Sequence, residues 1–248
     1  MNKVIIVTGS SRGIGAATAR LAGKNGYAVC VNYFKNQKAA ENVVSAIKDS
    51  GGQAIAVAGD MSLESDVDRL FTTVDKELGT VNALVNNAGI IALQSRVQDL
   101  DVARMQRIFT VNIMGYFLCA REAIKRMSTK MGGAGGAIVN VSSAASRLGS
   151  PGEFVDYAAS KGAIDTMTIG LAREIADEGI RVNAVRPGLI DTEMHAAAGA
   201  PDRAEKLKHL VPMKRVGTGE DIAKAVLWLL SEGASYSTGT IIDVSGGR

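Results

Sequence analysis

The sequence predicts an α/β fold in which a parallel sheet of about seven strands is wound with helices on both faces. Short β-branched runs recur along the whole length, segments with helical periodicity separate most of them, and no stretch rich in Pro, Gly or Ser divides the chain. Such alternation argues for βαβ units, and right-handed crossovers then place helices on either face.

The elements follow in order. "KVIIV" (3 to 7) predicts a first strand that runs into "TGSSRGIG" and a helix over 13 to 24. "AVCVN" (28 to 32), "QAIAVA" (53 to 58) and "NALVN" (82 to 86) predict the next three strands, with helices over 37 to 49 and 64 to 78 between them. "AIVNVS" (137 to 142), "IRVNAV" (180 to 185) and "GTIIDV" (239 to 244) complete the set, with long helices near 101 to 127 and 156 to 177. All four prolines fall after residue 150, so a single domain over 1 to 248 is expected. Two stretches break the rhythm. "MGGAGG" (131 to 136) reads as a flexible loop, and the excursion after the sixth strand predicts a substrate lid around 190 to 212.

With 46% hydrophobic residues, the 248-residue chain can bury a sizeable core. Its 28 basic and 25 acidic residues are interspersed, leaving a net charge of +3 and no footprint for nucleic acid or a membrane surface. Cys30 and Cys119 sit in apolar runs without metal-ligand or disulfide spacing, so both read as buried thiols and no metal is expected. Four consecutive apolar residues near the amino terminus are too few for a signal peptide or a spanning helix. The expectation is a cytoplasmic protein whose partner is a small molecule or another protein.

The glycines of "TGSSRGIG" stand between a strand and a helix, where they allow a tight turn and a close approach of backbone to ligand. The helix start favours a phosphate, so the loop predicts a dinucleotide site. Its spacing, G-x-x-x-G-x-G, departs from G-x-G-x-x-G. An acid on the adenosine ribose would mark NAD. None follows the second strand: "NYFKN" (32 to 36) is polar or basic, and the first acid is Glu41, inside the next helix. Arg12 and Lys35 instead offer two cations for a ribose 2′-phosphate, so NADP is preferred and NAD remains possible. In "DYAASK", Tyr157 and Lys161 stand four apart and share a face if the segment is helical. The pair also occurs by chance, with Tyr packed and Lys solvated.

"TGSSRGIG", "NNAG" (86 to 89), "VNIMG" with Asn112, "NVSS" (140 to 143), "YAASK" (157 to 161) and "RPGLIDTEM" (186 to 194) together resemble the short-chain dehydrogenase/reductase family. The resemblance covers the whole chain. It implies a Rossmann-type doubly wound sheet, a nicotinamide cofactor and a homotetramer. By motif position it assigns Asn112, Ser143, Tyr157 and Lys161 as the catalytic set. It places Gly9, Ser11, Arg12, Gly13, Ile14 and Gly15 at the cofactor, with Asn32, Tyr33 and Lys35 after the second strand and Asp60 and Met61 beside the adenine. Asn87, Ala88 and Gly89 would line the ribose region, and Pro187, Gly188, Ile190 and Thr192 would meet the nicotinamide, with Tyr157 and Lys161 also at the cofactor.

The chemistry accounts for the residue types. Hydride addition to a ketone puts negative charge on oxygen, and a positioned acid must supply a proton. A free tyrosine, with a pKa of about 10, is poorly suited near neutrality. A nearby ammonium from Lys161 would favour the phenolate, so that Tyr157 could donate in reduction and accept in oxidation. Ser143 would orient the substrate oxygen, with Ser142 as the competing serine. Asn112 would hold a proton-carrying water, or else be a buried asparagine satisfied by backbone. Ser143 and Tyr157 are fourteen residues apart, one more than is common in the family, so "SRLGSPGEFVD" carries an extra loop residue.

Two kinds of relative suggest different substrates. Reductases of 3-oxoacyl groups on a carrier protein often have a basic approach to the fifth strand. Here "MSTKMGGAGGA" is longer and glycine-rich, although Arg126, Lys130 and Arg173 keep some positive charge. Bacterial glucose dehydrogenases share features of "VNYFKN" and "YAASKGA", yet Ala144 and Ala145 offer nothing to a sugar hydroxyl. The reading favoured is an NADPH-dependent carbonyl reductase, ahead of 3-oxoacyl reduction, sugar or polyol oxidation, and a non-catalytic NADP-binding sensor. His195 and His209 fall in the lid and read as surface or substrate-adjacent residues.

Overall fold

The structure is a computed structural model that describes residues 3–248, apart from the side chains of His195 and Ala197. Seven strands form one sheet in the order β3-β2-β1-β4-β5-β6-β7, every neighbouring pair parallel. They are β1 (Lys3–Val7), β2 (Tyr27–Tyr33), β3 (Ala54–Ala58), β4 (Ala83–Asn86), β5 (Gly136–Val141), β6 (Ile180–Pro187) and β7 (Ile241–Val244). All seven expected strands are present. The doubly wound Rossmann-type sheet reverses its order between β1 and β4, which opens a crevice at their carboxyl ends.

Both faces of the sheet are covered. On one, Ile5, Val7, Val29 and Val31 pack beneath α1 (Gly13–Lys24), α2 (Gln37–Asp49) and the later helix Gly219–Leu230. On the other, Val4, Ile6, Leu84 and Ile138 meet α3 (Glu64–Glu77) and two further helices through Phe71, Tyr116 and Ile164. Side chains that alternate along a strand feed opposite cores, so the apolar runs of β1 and β4 serve both. Cys30 and Cys119 are buried free thiols in these cores, as expected.

The long helix expected near 101 to 127 is interrupted. α4 (Val102–Phe109) passes through a π-helical turn, Thr110–Met114, before α5 (Gly115–Met127). A π-bulge widens the helix by one residue per turn and often marks a functional position, and this one contains Asn112. α6 (Ala145–Leu148) lies in the extended loop after β5, where Gly149 and Gly152 adopt positive φ and turn the chain into α7 (Val155–Ile175). The 190–212 segment carries two short helices, α8 (Met194–Ala197) and α9 (Arg203–Leu207), before α10 (Gly219–Leu230). Among the described residues no helix is long and apolar enough to cross a membrane, and no group of His, Cys, Asp or Glu could hold a metal ion.

Candidate active site

The glycine loop is built by clasping β1 to its two neighbours. Asn32, buried at the end of β2, accepts the Gly9 N–H at 3.0 Å and donates to the carbonyls of Val57 and Gly59. From β4, the amides of Asn87 and Ala88 donate to the Thr8 hydroxyl at 2.9 and 3.0 Å, and the Asn87 amide group donates to the carbonyls of Thr8 and Gly9. Gly9 has φ +60°, and a Cβ there would stand 2.8 Å from Ala88 Cα, so only glycine fits. A Cβ on Gly15 would lie 2.5 Å from Asn87 Nδ2. Beyond the loop, α1 starts at Arg12 with no side-chain cap and no acid in its first turn. Its first N–H groups lack a side-chain acceptor, a cradle suited to phosphate.

Not every expected cofactor residue presents a side chain. Asn32, Met61 and Ile190 are buried, so their side chains shape the groove from behind. Arg12 and Lys35 are exposed, and neither forms an ion pair among the described residues. Lys35 Nζ lies 5.2 Å from the centroid of the exposed Phe34 ring, whose other neighbour is Arg107 at 5.9 Å. Asp60 is held by Arg107 at 3.1 Å and by the Ser62 hydroxyl at 2.7 Å. Gly188 sits so close to Ser245 that a Cβ would come within 2.6 Å of its Cα, and Thr192 Cγ2 lies 3.4 Å from where a Gly13 Cβ would be. The start of the 190–212 segment therefore closes over the glycine loop.

Tyr157, Lys161 and Ser143 converge at the carboxyl ends of β5 and β6. Tyr157 and Lys161 share a face of α7, with Nζ 5.8 Å from the phenol centroid. Ser143 is near enough to the Tyr157 phenol to act on its pKa, so the longer loop does not part them. Ser142 is instead buried and donates to the Lys161 carbonyl at 3.2 Å. Lys161 is buried and donates to the carbonyl of Val141 at 2.7 Å and to the Tyr116 phenol oxygen at 3.1 Å. A Cβ on Gly89 would meet Asn112 Oδ1 at 3.4 Å and Lys161 Nζ at 3.7 Å, so all three border one space.

These contacts bear on two of the expectations. Burial pushes the Tyr157 phenol up from its ordinary value, and Ser143 only partly opposes this. Lys161 does not dominate because burial also lowers its own pKa, to about 7, with Asp165 acting weakly in the other direction. The Asn112 side chain is engaged mainly with the backbone, and one Oδ1 lone pair is left on the side of the Gly89 space. It accepts from the Ile90 amide at 2.8 Å and donates to the Ile90 carbonyl and the Ser160 hydroxyl.

Three contributors lay outside the sequence reading. Tyr116 touches Lys161; its only sequence signal is its place four residues after Asn112. Arg104 and Asp156 form a buried ion pair that braces the start of α7. In the 190–212 segment, Arg203 of α9 grips Glu153 through both guanidinium nitrogens at 2.5 and 2.6 Å, and that pairing lowers the Glu153 carboxyl's pKa. The His209 ring is exposed and its Nδ1 pairs with the Lys206 carbonyl, while the His195 side chain lies outside the described residues. A crevice of about 790 Å³ at the amino ends of the strands, lined by Lys3, Tyr27, Arg181 and Glu232, holds none of the expected site residues.

A crevice at the switch point of a doubly wound sheet, with a tyrosine and a lysine one helical turn apart and a serine on the phenol, defines a dehydrogenase or reductase of the Rossmann type. The family described as enoyl-(acyl carrier protein) reductase matches residues 9–248. Curated relatives include the uncharacterized oxidoreductase YgfF of Escherichia coli, 55% identical over 99% of both chains. The 3beta-hydroxysteroid dehydrogenase 1 of Eggerthella lenta is 42% identical over 99% of this chain and 93% of its own. Glucose 1-dehydrogenase 2 of Bacillus subtilis is 38% identical over 99% and 94%. A solved dehydrogenase/reductase from Sinorhizobium meliloti superposes with a TM-score of 0.91 at 32% identity, covering 99% of this chain and 94% of that one. The chain belongs to the short-chain dehydrogenase/reductase family, whose members are oxidoreductases that use a nicotinamide cofactor.

Proposed function

We propose that this oxidoreductase is an NADPH-dependent carbonyl reductase, reversible as an alcohol dehydrogenase, with Tyr157 as general acid and base. The observation that carries the reading is the chain of neighbours Ser143, Tyr157 and Lys161, with the Lys161 ammonium bordering the space beside Gly89. The glycine loop fits a dinucleotide, because its positive-φ glycines and uncapped helix start leave backbone N–H groups for a pyrophosphate. When bound, the dihydronicotinamide supplies the hydride for carbonyl reduction. Ser143 holds the substrate oxygen, Tyr157 Oη gives it a proton, and the Lys161 ammonium offsets the charge left on the phenol. Asn112 fixes the Ile90 backbone and the π-turn behind Gly89.

NADP is preferred over NAD because Arg12 and Lys35 are exposed and unpaired and no acid ends β2. The substrate is a carbonyl on a largely apolar body. Ala144 is buried, and Leu148 and Leu93 are exposed along the loops that approach the site. Of the cations considered for an acyl carrier, Arg126 and Lys130 are paired with Asp75, Glu122 and Asp177, while Arg173 is exposed. The 190–212 segment acts as a lid held by the Arg203 and Glu153 pair. Exposed Val102 on α4, Met114 in the π-turn and Phe117 on α5, with Ile169 and Trp228, support a homotetramer.

The test is oxidation of NADPH and NADH, followed by absorbance across a panel of ketones that includes an acetoacetyl thioester, with Tyr157→Phe as the control. Turnover with NADPH, cut by about 100-fold or more in the variant, is the expected result. Tight NADPH binding without turnover in either direction would overturn the catalytic reading and favour a sensor.

A further inference from the structure

The geometry points to Tyr116 as a second tyrosine of the site, a positioning residue that holds the Lys161 ammonium in place. This rests on the proposed role of Lys161. Three hydrogen bonds close a cycle: Lys161 Nζ to the Val141 carbonyl at 2.7 Å, Lys161 Nζ to Tyr116 Oη at 3.1 Å, and Tyr116 Oη to the same Val141 carbonyl at 3.0 Å. An ammonium has three N–H donors, so this cycle takes two and leaves one for Tyr157 and the ligand.

The elements joined are the ones that must stay in register. Val141 ends β5, two residues before Ser143, while Lys161 lies one turn beyond Tyr157 on α7 and Tyr116 begins α5 after the π-turn of Asn112. The phenol ring is 1% exposed, and Nζ lies 4.9 Å from its centroid, at the hydroxyl edge of the ring. Water is excluded here. Tyr116 therefore supplies solvation that a buried ammonium would otherwise lack.

The groups around Lys161 are few. Tyr157 and Asp165 face it from α7, where Asp165 is engaged by Arg186 of β6 at 2.9 Å. From α5 come Tyr116 and, behind it, Cys119 and Glu122, the last held by Lys125 and Arg126. Asn112 and Ser160 are occupied with each other. Tyr116 itself stays neutral, because burial pushes its phenol well above the ordinary value. It is a fixed acceptor and not a titrating one.

Tyr116→Phe keeps the ring packing and removes only the oxygen. Its effect is read in two ways. A titration of 13C-labelled lysine by NMR, with Lys161→Met to assign the signal, should show the Lys161 midpoint falling by roughly one pH unit in Tyr116→Phe. The alkaline limb of kcat/KM for carbonyl reduction should move down by the same amount, with the loss smallest at low pH. An unchanged midpoint overturns the proposal, as does a uniform loss at every pH with the limb unmoved, which a merely structural residue would produce. If the wild type reduces no carbonyl, the proposed function fails, while the lysine titration still decides whether Tyr116 holds Lys161. Thermal unfolding of both single variants and the double variant adds a check, since coupled residues give non-additive changes and independent ones do not.

Discussion

Arg104 of α4 and Asp156 of α7 form a two-pronged ion pair, Nε to Oδ2 at 2.7 Å and Nη2 to Oδ1 at 3.3 Å, with both side chains largely out of water. A third guanidinium nitrogen donates to the Leu93 carbonyl at 2.6 Å, and Asp156 Oδ1 accepts the Tyr157 amide at 2.9 Å. One arginine thus ties the loop after β4 to the helix turn that carries the tyrosine. Removing it would leave a buried carboxylate unpaired. Arg104→Met should destabilise the protein by about 3 kcal/mol in urea unfolding. It should also lower kcat/KM by more than the stability loss explains at temperatures where the variant is fully folded.

Lys161 makes stability depend on pH in a direction opposite to that of a salt-bridged lysine. Its pKa falls from 10.5 in the unfolded chain to about 7 in the folded protein, because burial penalises the charge. Between these values the unfolded state binds more protons, so unfolding free energy rises as pH increases from about 7 towards 10. Below pH 7 the penalty is fully present. Lys161→Met should remove this rise, and the two proteins should differ most in their pH slopes of denaturant midpoint between pH 7 and 9. Equal slopes would show that the ammonium is solvated.

Cofactor choice should follow the two free cations. Arg12→Ala combined with Lys35→Ala should raise the Kd for NADPH by at least about tenfold, since each lost phosphate contact contributes on the order of 1 kcal/mol or more. Affinity for NADH should change less than about threefold. Binding by fluorescence titration separates this from any effect on chemistry.

Gly9→Ala tests the loop geometry itself. The new Cβ would stand 2.8 Å from Ala88 Cα, on a residue with φ +60°. A loss of about 2 kcal/mol in unfolding free energy is expected. Weaker cofactor binding should accompany it, because the Thr8 and Asn87 clasp must shift. Gly26→Ala is the control: it also has positive φ, at +81°, but open space around it, so it should show the strain without the clash.

Much of the fold was written in local pattern. The apolar runs of β1, β2, β4 and β5 name buried strands because each residue packs on one face or the other, and their spacing by helices leaves a parallel sheet as the natural outcome. The position of the glycine loop and the shared face of Tyr157 and Lys161 follow from helix and turn geometry over a few residues, so they too were legible. The π-turn at Asn112 was not, since one extra residue in a helix leaves no compositional mark.

What the tertiary structure alone decided is which polar groups meet. Tyr116, Arg104 and Glu153 reach Lys161, Asp156 and Arg203 across about 50 positions of sequence, and no local periodicity encodes such pairs. Burial then set the charge states. The sequence names Tyr157 and Lys161, but only packing shows that the amine is buried and the phenol half-buried, which lowers the amine's pKa and raises the phenol's. A residue type states what chemistry a side chain can do. Desolvation and neighbours, which exist only once the chain has folded, determine which form of it is present.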